Sequence, residues 1–63
     1  MDTAYLKEKR LLLVDDEQEL LDMLLSILKA EGFRHIATAG SVQEALLLAD
    51  TFRPELAILD VML

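Results

Sequence analysis

The sequence predicts an α/β unit in which strand, helix, strand, helix and strand follow one another, with the strands parallel. Three observations predict it. A short apolar run, Leu11-Leu12-Leu13-Val14, is cut off by Asp15, Asp16 and Glu17, as expected of a strand buried on both faces of a parallel sheet. Two later segments carry helical periodicity, and each is followed by another short apolar stretch. Strands separated by helices need crossovers, which are right-handed and make the pairing parallel.

Residues 1–9 show no periodicity and read as a leader, frayed or lightly docked through Tyr5 and Leu6. The first strand follows Arg10. The first helix spans about Gln18 to Glu31. Leu20, Leu21, Met23, Leu24, Leu25, Ile27 and Leu28 lie on one side of its wheel, opposite Gln18, Glu19, Asp22, Ser26 and Lys29. Acids favour its start, and Lys29 and Gly32 favour its end. Its apolar arc is wider than the roughly 100° that one sheet requires, so something further should pack on its flank. Phe33 to Ala39 reads as a second, weaker strand. Ser41 and Glu44 form a capping box for the second helix. That helix runs from about Val42 to Thr51, with Val42, Ala45, Leu46, Leu48 and Ala49 on its apolar side. It must stop before Pro54, which pushes Arg53 toward extended backbone. Leu56 to Leu59 is the third strand, ending in Asp60.

The chain has 63 residues, 6 Lys plus Arg against 12 Asp plus Glu, a net charge of −6 and 54% hydrophobic residues. That share is too high for a disordered tail, and no apolar run approaches the roughly 20 residues that span a bilayer. Scattered bases in an acidic chain argue against a nucleic-acid partner. Without cysteine there is neither a disulfide framework nor a thiolate metal site. Asp2 and Lys7 stand where a secretory leader would need its basic and apolar regions, so a cytoplasmic address is expected. Near 60 residues a single core is marginal, so the chain is expected to be a fragment or to associate.

In parallel sheets ligands sit beyond the carboxyl ends of the strands. Asp15 and Asp16 lie just past the first strand and Asp60 just past the third. With the first strand central, those two strands are neighbours about 4.8 Å apart and the three carboxylates converge. Convergent carboxylates repel unless a cation offsets them. Oxygen-only ligands favour magnesium, which keeps some of its waters. A plainer reading stays open: Asp15, Asp16 and Glu17 could simply stabilise a helix start, and Asp60 could be a turn residue. His35 reads as an ordinary edge-strand histidine, Tyr5 and Phe52 as packing residues, and Arg34 and Arg53 as members of solvated connections.

Leu12-Leu13-Val14-Asp15-Asp16-Glu17, together with Leu59-Asp60-Val61-Met62-Leu63, resembles the receiver domain of bacterial two-component response regulators. The resemblance covers Arg10 to Leu63 and reaches the N-terminal half of a flavodoxin-like α/β fold of five strands, which implies the parallel strand order 2-1-3. It implies that Asp60 is the phosphoacceptor for a sensor histidine kinase. It also implies that Asp15, Asp16, Asp60 and the backbone carbonyl of Met62 hold Mg2+, and that the module is a regulator of an output, transcription being suggested, rather than an enzyme. A haloacid-dehalogenase-type phosphotransferase would want an Asp where Met62 stands. A nucleotide-binding fold would want a Gly-rich loop after the first strand. The family's Ser or Thr after strand four and Lys after strand five have no counterpart here. The alternative is therefore a half-domain that only self-associates, joining two copies across the third strand or the bare side of the first helix.

Overall fold

The computed structural model describes residues 4–59. Its elements are α1 (Ala4–Lys7), β1 (Arg10–Val14), α2 (Gln18–Ala30), β2 (His35–Ala39), α3 (Val42–Thr51) and β3 (Leu56–Leu59). The strands are all parallel, as the alternation of elements predicts, and lie in the order β2-β1-β3 that the family resemblance implies.

β1 is central, and the residues of its apolar run are all buried. Successive side chains of a strand point to opposite faces, and this alternation builds two small cores. On one face Leu11 and Leu13 meet Leu21 of α2, with Leu24, Leu28, Phe33 and Ile36 packed around them. On the other, Leu12, Val14 and Ala39 are covered by Ala45 and Leu48 of α3. The two helices thus lie on opposite faces of the sheet. Full burial of a leucine such as Leu13, which has no exposed surface, contributes roughly 1.5–3 kcal/mol.

The ends of the helices follow local chemistry. Gly32 has a φ of 103°. Its N–H donates to Lys29 O, and the N–H of Phe33 donates to Leu28 O, both at 3.0 Å. This 6→1 and 5→2 pair satisfies carbonyls the helix would otherwise leave unpaired, and a left-handed residue makes it possible. At the start of α3, Ser41 Oγ accepts the Glu44 N–H at 3.2 Å. The Glu44 carboxylate reaches back to the Gly40 N–H at 3.0 Å, one residue beyond the usual partner of a capping box.

Three sequence expectations are corrected. Arg53 is left-handed, at φ 54°, rather than extended. Its N–H donates to Leu48 O at 3.2 Å, and its carbonyl accepts from Arg10 Nε at 2.8 Å, two bonds that hold it there. On α3, Val42 and Leu46 are exposed, as is Leu47. The stripe that meets the sheet is Ala45 and Leu48, and no described element packs beside Val42 and Leu46. Tyr5 is mostly exposed instead of packed; its ring carries the Lys9 ammonium 4.4 Å from the centroid, a cation–π contact.

Residues 4–9 lie along the amino ends of the strands. Lys7 O accepts the Arg34 N–H at 3.2 Å, and Arg34 pairs with Glu8 at 3.5 Å. Glu55 joins this segment to β3. Its carboxylate meets Lys9 at 3.3 Å and the Arg10 guanidinium at 3.5 Å, and it accepts the Arg10 N–H at 3.1 Å.

Candidate functional site

The strand register aligns the carboxyl ends of β1 and β3. Val14 pairs with Leu59 across that ladder and with Ala39 on the other side. Asp15, the next residue, keeps the ladder going by donating its N–H to Ala39 O at 3.1 Å. A crevice is thereby set at the rim between the ends of β1 and β3, where the chain leaves β1 for α2.

Asp15 is buried, 6% exposed. Its Oδ1 accepts the Glu17 N–H at 2.9 Å, which fixes the turn into α2. Glu17, at the helix N-cap, contributes no side-chain bond. Asp15 therefore performs the helix-start job of the plainer sequence reading, but with one oxygen only. No hydrogen bond or ion pair engages Oδ2 among the described residues. Asp16 is exposed beside it. Asp60 and Met62, the other expected ligands, lie outside the described residues, and no three carboxylates among the described residues form an ion site by themselves.

The distribution of charge bears on the same rim. Lys9 and Arg10 are paired with Glu55, and Arg34 with Glu8, all at the amino ends of the strands. Lys7 lies against Gly32 at the end of α2, Lys29 is in the last turn of that helix, and Arg53 is tied to Arg10. All six bases of the chain thus stand at the amino rim. Asp15, Asp16, Glu17 and Glu19 stand at the carboxyl rim with no ion-pair partner among the described residues. A buried carboxylate with an open oxygen, among acids lacking a counter-charge, fits a hard divalent cation.

Sequence reasoning missed a further acid at this rim. Glu44 was read only as a cap, yet its Oε2 and the backbone oxygen of Asp15 are both 4.0 Å from where a Cβ on Gly40 would stand. The signal was the position of the capping box at the end of the second strand. His35 pairs with Arg10 and so lies at the opposite end from Asp15.

A doubly wound parallel sheet with acids at the carboxyl ends of its strands defines a class of α/β module. Comparison with known proteins narrows the class. The response regulator receiver domain family matches residues 11–63, and the chain belongs to that family. It is similar to the DNA-binding response regulator MtrA of Mycobacterium tuberculosis (strain ATCC 25618 / H37Rv), 41% identical over 63 residues, 100% of this chain and 26% of that protein. The transcriptional regulatory protein YvrH of Bacillus subtilis (strain 168) is 40% identical over 53 residues, 84% of this chain and 22% of that protein. The alkaline phosphatase synthesis transcriptional regulatory protein PhoP of the same strain is 42% identical over 55 residues, 87% and 22% respectively. The chain spans about a quarter of the length of these relatives. No solved structure matches it. No helix among the described residues is long and apolar enough to cross a membrane.

Proposed function

We propose that this chain is the phosphoacceptor part of a cytoplasmic response regulator, and that Asp60 takes a phosphoryl group from a sensor histidine kinase. A carboxylate oxygen of Asp60 attacks phosphorus as the bond to the donor imidazole nitrogen breaks. The products are an acyl phosphate and a neutral imidazole. Asp15 and Asp16, with Asp60 and the Met62 carbonyl, would hold Mg2+. When bound, the ion neutralises charge that develops on the phosphoryl oxygens.

The observation that carries this reading is Asp15. It is buried at the rim, anchored to Glu17 by one oxygen and, among the described residues, free of protein partners at the other. The anchor fixes the rotamer before any ion arrives, so binding need not order that side chain. That the similar proteins are DNA-binding and transcriptional regulators supports transcription as the output.

Incubation with a small acyl-phosphate donor and Mg2+ tests the reading by intact-mass measurement. The expected result is a gain of one phosphoryl group that maps to Asp60, is absent in Asp60→Asn and falls sharply in Asp15→Asn. No gain in the parent chain, or an equal gain in Asp60→Asn, would overturn the acceptor role. It would leave self-association of an inert half-domain as the better reading.

A further inference from the structure

Asp15 is held by more than its own side chain. At the end of β2 the chain turns into α3 through Gly40 and Ser41, and the peptide group between Ala39 and Gly40 is engaged on both sides. Its carbonyl, on Ala39, accepts the Asp15 N–H at 3.1 Å. Its N–H, on Gly40, donates to Glu44 Oε2 at 3.0 Å. A peptide group is planar and does not rotate about its C–N bond, so Glu44 and Asp15 are tied to one rigid unit. The bond to the Glu44 carboxylate is charge-assisted and therefore stronger than a neutral one. It also polarises the carbonyl at the other end of the same peptide, which strengthens that carbonyl as an acceptor for Asp15. Gly40 lies between the two partners: a Cβ placed on it would stand 4.0 Å from both Asp15 O and Glu44 Oε2. Ala39 and Asp15 are both buried, so little water reaches the bond that joins them. Every group in this relay belongs to β1, β2, α3 or the turns that follow the strands, a unit packed through Leu12, Val14, Ala39, Ala45 and Leu48.

We propose that Glu44 is a positioning residue, holding Asp15 in place through the Ala39–Gly40 peptide. Its use to the site rests on the reading of Asp15 as a Mg2+ ligand, and it goes beyond that reading by giving the cap of α3 a share in the work. Asp15 is then fixed at two points: the Glu17 N–H holds Oδ1, and the Ala39 carbonyl, itself held by Glu44, fixes the main chain. Magnesium demands near-octahedral geometry, so a ligand that drifts binds it less well. Residues that orient a ligand without touching the ion typically change its affinity by about 10- to 100-fold. Ser41 separates position from helix stability. Its hydroxyl accepts the Glu44 N–H at 3.2 Å and so caps the same helix, but the N–H of the Ala39–Gly40 peptide goes to Glu44.

Two measurements on the 63-residue chain test the proposal. The first is amide hydrogen exchange by NMR without divalent cation, taken as the rate at Asp15 relative to Leu13 in the middle of β1, a ratio that removes changes in global stability. Glu44→Ala is expected to raise the ratio about three- to tenfold. Glu44→Gln keeps an acceptor of the same reach and should stay within about twofold of the parent, as should Ser41→Ala. The second is calorimetric titration with Mg2+, in which Glu44→Ala should raise the dissociation constant about tenfold while Glu44→Gln and Ser41→Ala change it by less than about threefold. Glu44→Asp keeps an acid in the first turn of α3 but is one carbon short of Gly40; it should behave as Glu44→Ala does, and it decides if that variant does not fold. An unchanged exchange ratio in Glu44→Ala and Glu44→Asp overturns the proposal. So does a Glu44→Gln chain that matches Glu44→Ala in both measurements, since charge rather than position would then be at work, and so does an unmoved dissociation constant in Glu44→Ala. A parent chain that takes up no Mg2+ refutes the cation reading of Asp15 instead, and the exchange ratio alone then decides whether Glu44 holds Asp15.

Discussion

Replacing Asp15 separates the two jobs assigned to its carboxylate. In Asp15→Asn the Oδ1 acceptor that takes the Glu17 N–H at 2.9 Å is kept and the negative charge is lost. Asn and Asp are equivalent as helix-start acceptors, so stability without divalent cation is expected within about 0.5 kcal/mol of the parent. Asp15→Ala removes the acceptor as well and is expected to cost about 0.5–2 kcal/mol. The cation response sorts differently. A ligand at ten times its dissociation constant stabilises the folded state by RT ln 11, about 1.4 kcal/mol. At roughly 4–8 °C per kcal/mol for a unit of this size, the parent melting temperature should rise by about 5–10 °C with Mg2+. Asp15→Asn and Asp15→Ala should both show almost no rise. Thermal melts by circular dichroism with Mg2+ and with chelator provide the readout. An undiminished Mg2+ response in Asp15→Asn would refute the reasoning, because the ion would then bind elsewhere.

Three further outcomes follow from the packing and the amino rim. Leu13→Ala empties a site with no exposed surface and is expected to cost about 2–5 kcal/mol. Leu47→Ala, at 70% exposure, should stay within about 0.5 kcal/mol; urea titration compares them, and a Leu13→Ala cost under about 1 kcal/mol would contradict a central β1. The Arg10 N–H, and after it Lys9, hold the Glu55 carboxyl below its ordinary value of 4.5. The stability Glu55 contributes is therefore present above pH 4.5 and lost as pH falls through the lower folded-state value. Glu55→Gln should flatten the acid limb of a stability–pH curve and also shrink its alkaline limb, because Tyr5 and after it Glu55 hold Lys9 above its ordinary value of 10.5. Gly32→Ala forces a side chain into φ 103° and should destabilise by about 1–2 kcal/mol. The same loss is expected in a Lys7→Ala background if the backbone, rather than the Lys7 carbon 3.2 Å from the added Cβ, sets the cost.

The sheet was legible because its signals are local. Four apolar residues stopped by three acids can be read without knowing what lies opposite, whereas the order of the strands and their register depend on contacts between distant segments that no local signal carries. The end of α2 was legible for the same reason, since Gly32 and Phe33 carry the capping geometry in their own backbone. The burying face of α3 was not. Val42 and Leu46 complete an apolar arc at 100° per residue, but the contact is made by Ala45 and Leu48 on one side of that arc, and the arc alone cannot say which side meets a neighbour. Arg53 misled for a related reason. The preference of a residue before proline is a local average, and here two bonds from distant residues, to Leu48 and Arg10, override it. The residues before β1 have no periodicity, so nothing forecast that their backbone and charges would tie Arg34 and Glu55 into the amino rim.

The position of Asp15 and Asp16 was readable, but the reason they can coexist was not. Counting bases shows too few to offset the acids; only the fold shows that all six are at the wrong end. Every crossover returns the chain to the amino rim, so residues at the ends of helices and the starts of strands gather there, and Lys7, Lys9, Arg10, Lys29, Arg34 and Arg53 occupy such positions. Lysine in the last turn of α2 also complements the helix dipole, while the start of α2 at the opposite rim favours Glu17 and Glu19. Helix polarity and charge placement therefore reinforce one another. The arrangement leaves the carboxyl rim negative, to be neutralised from outside the described chain.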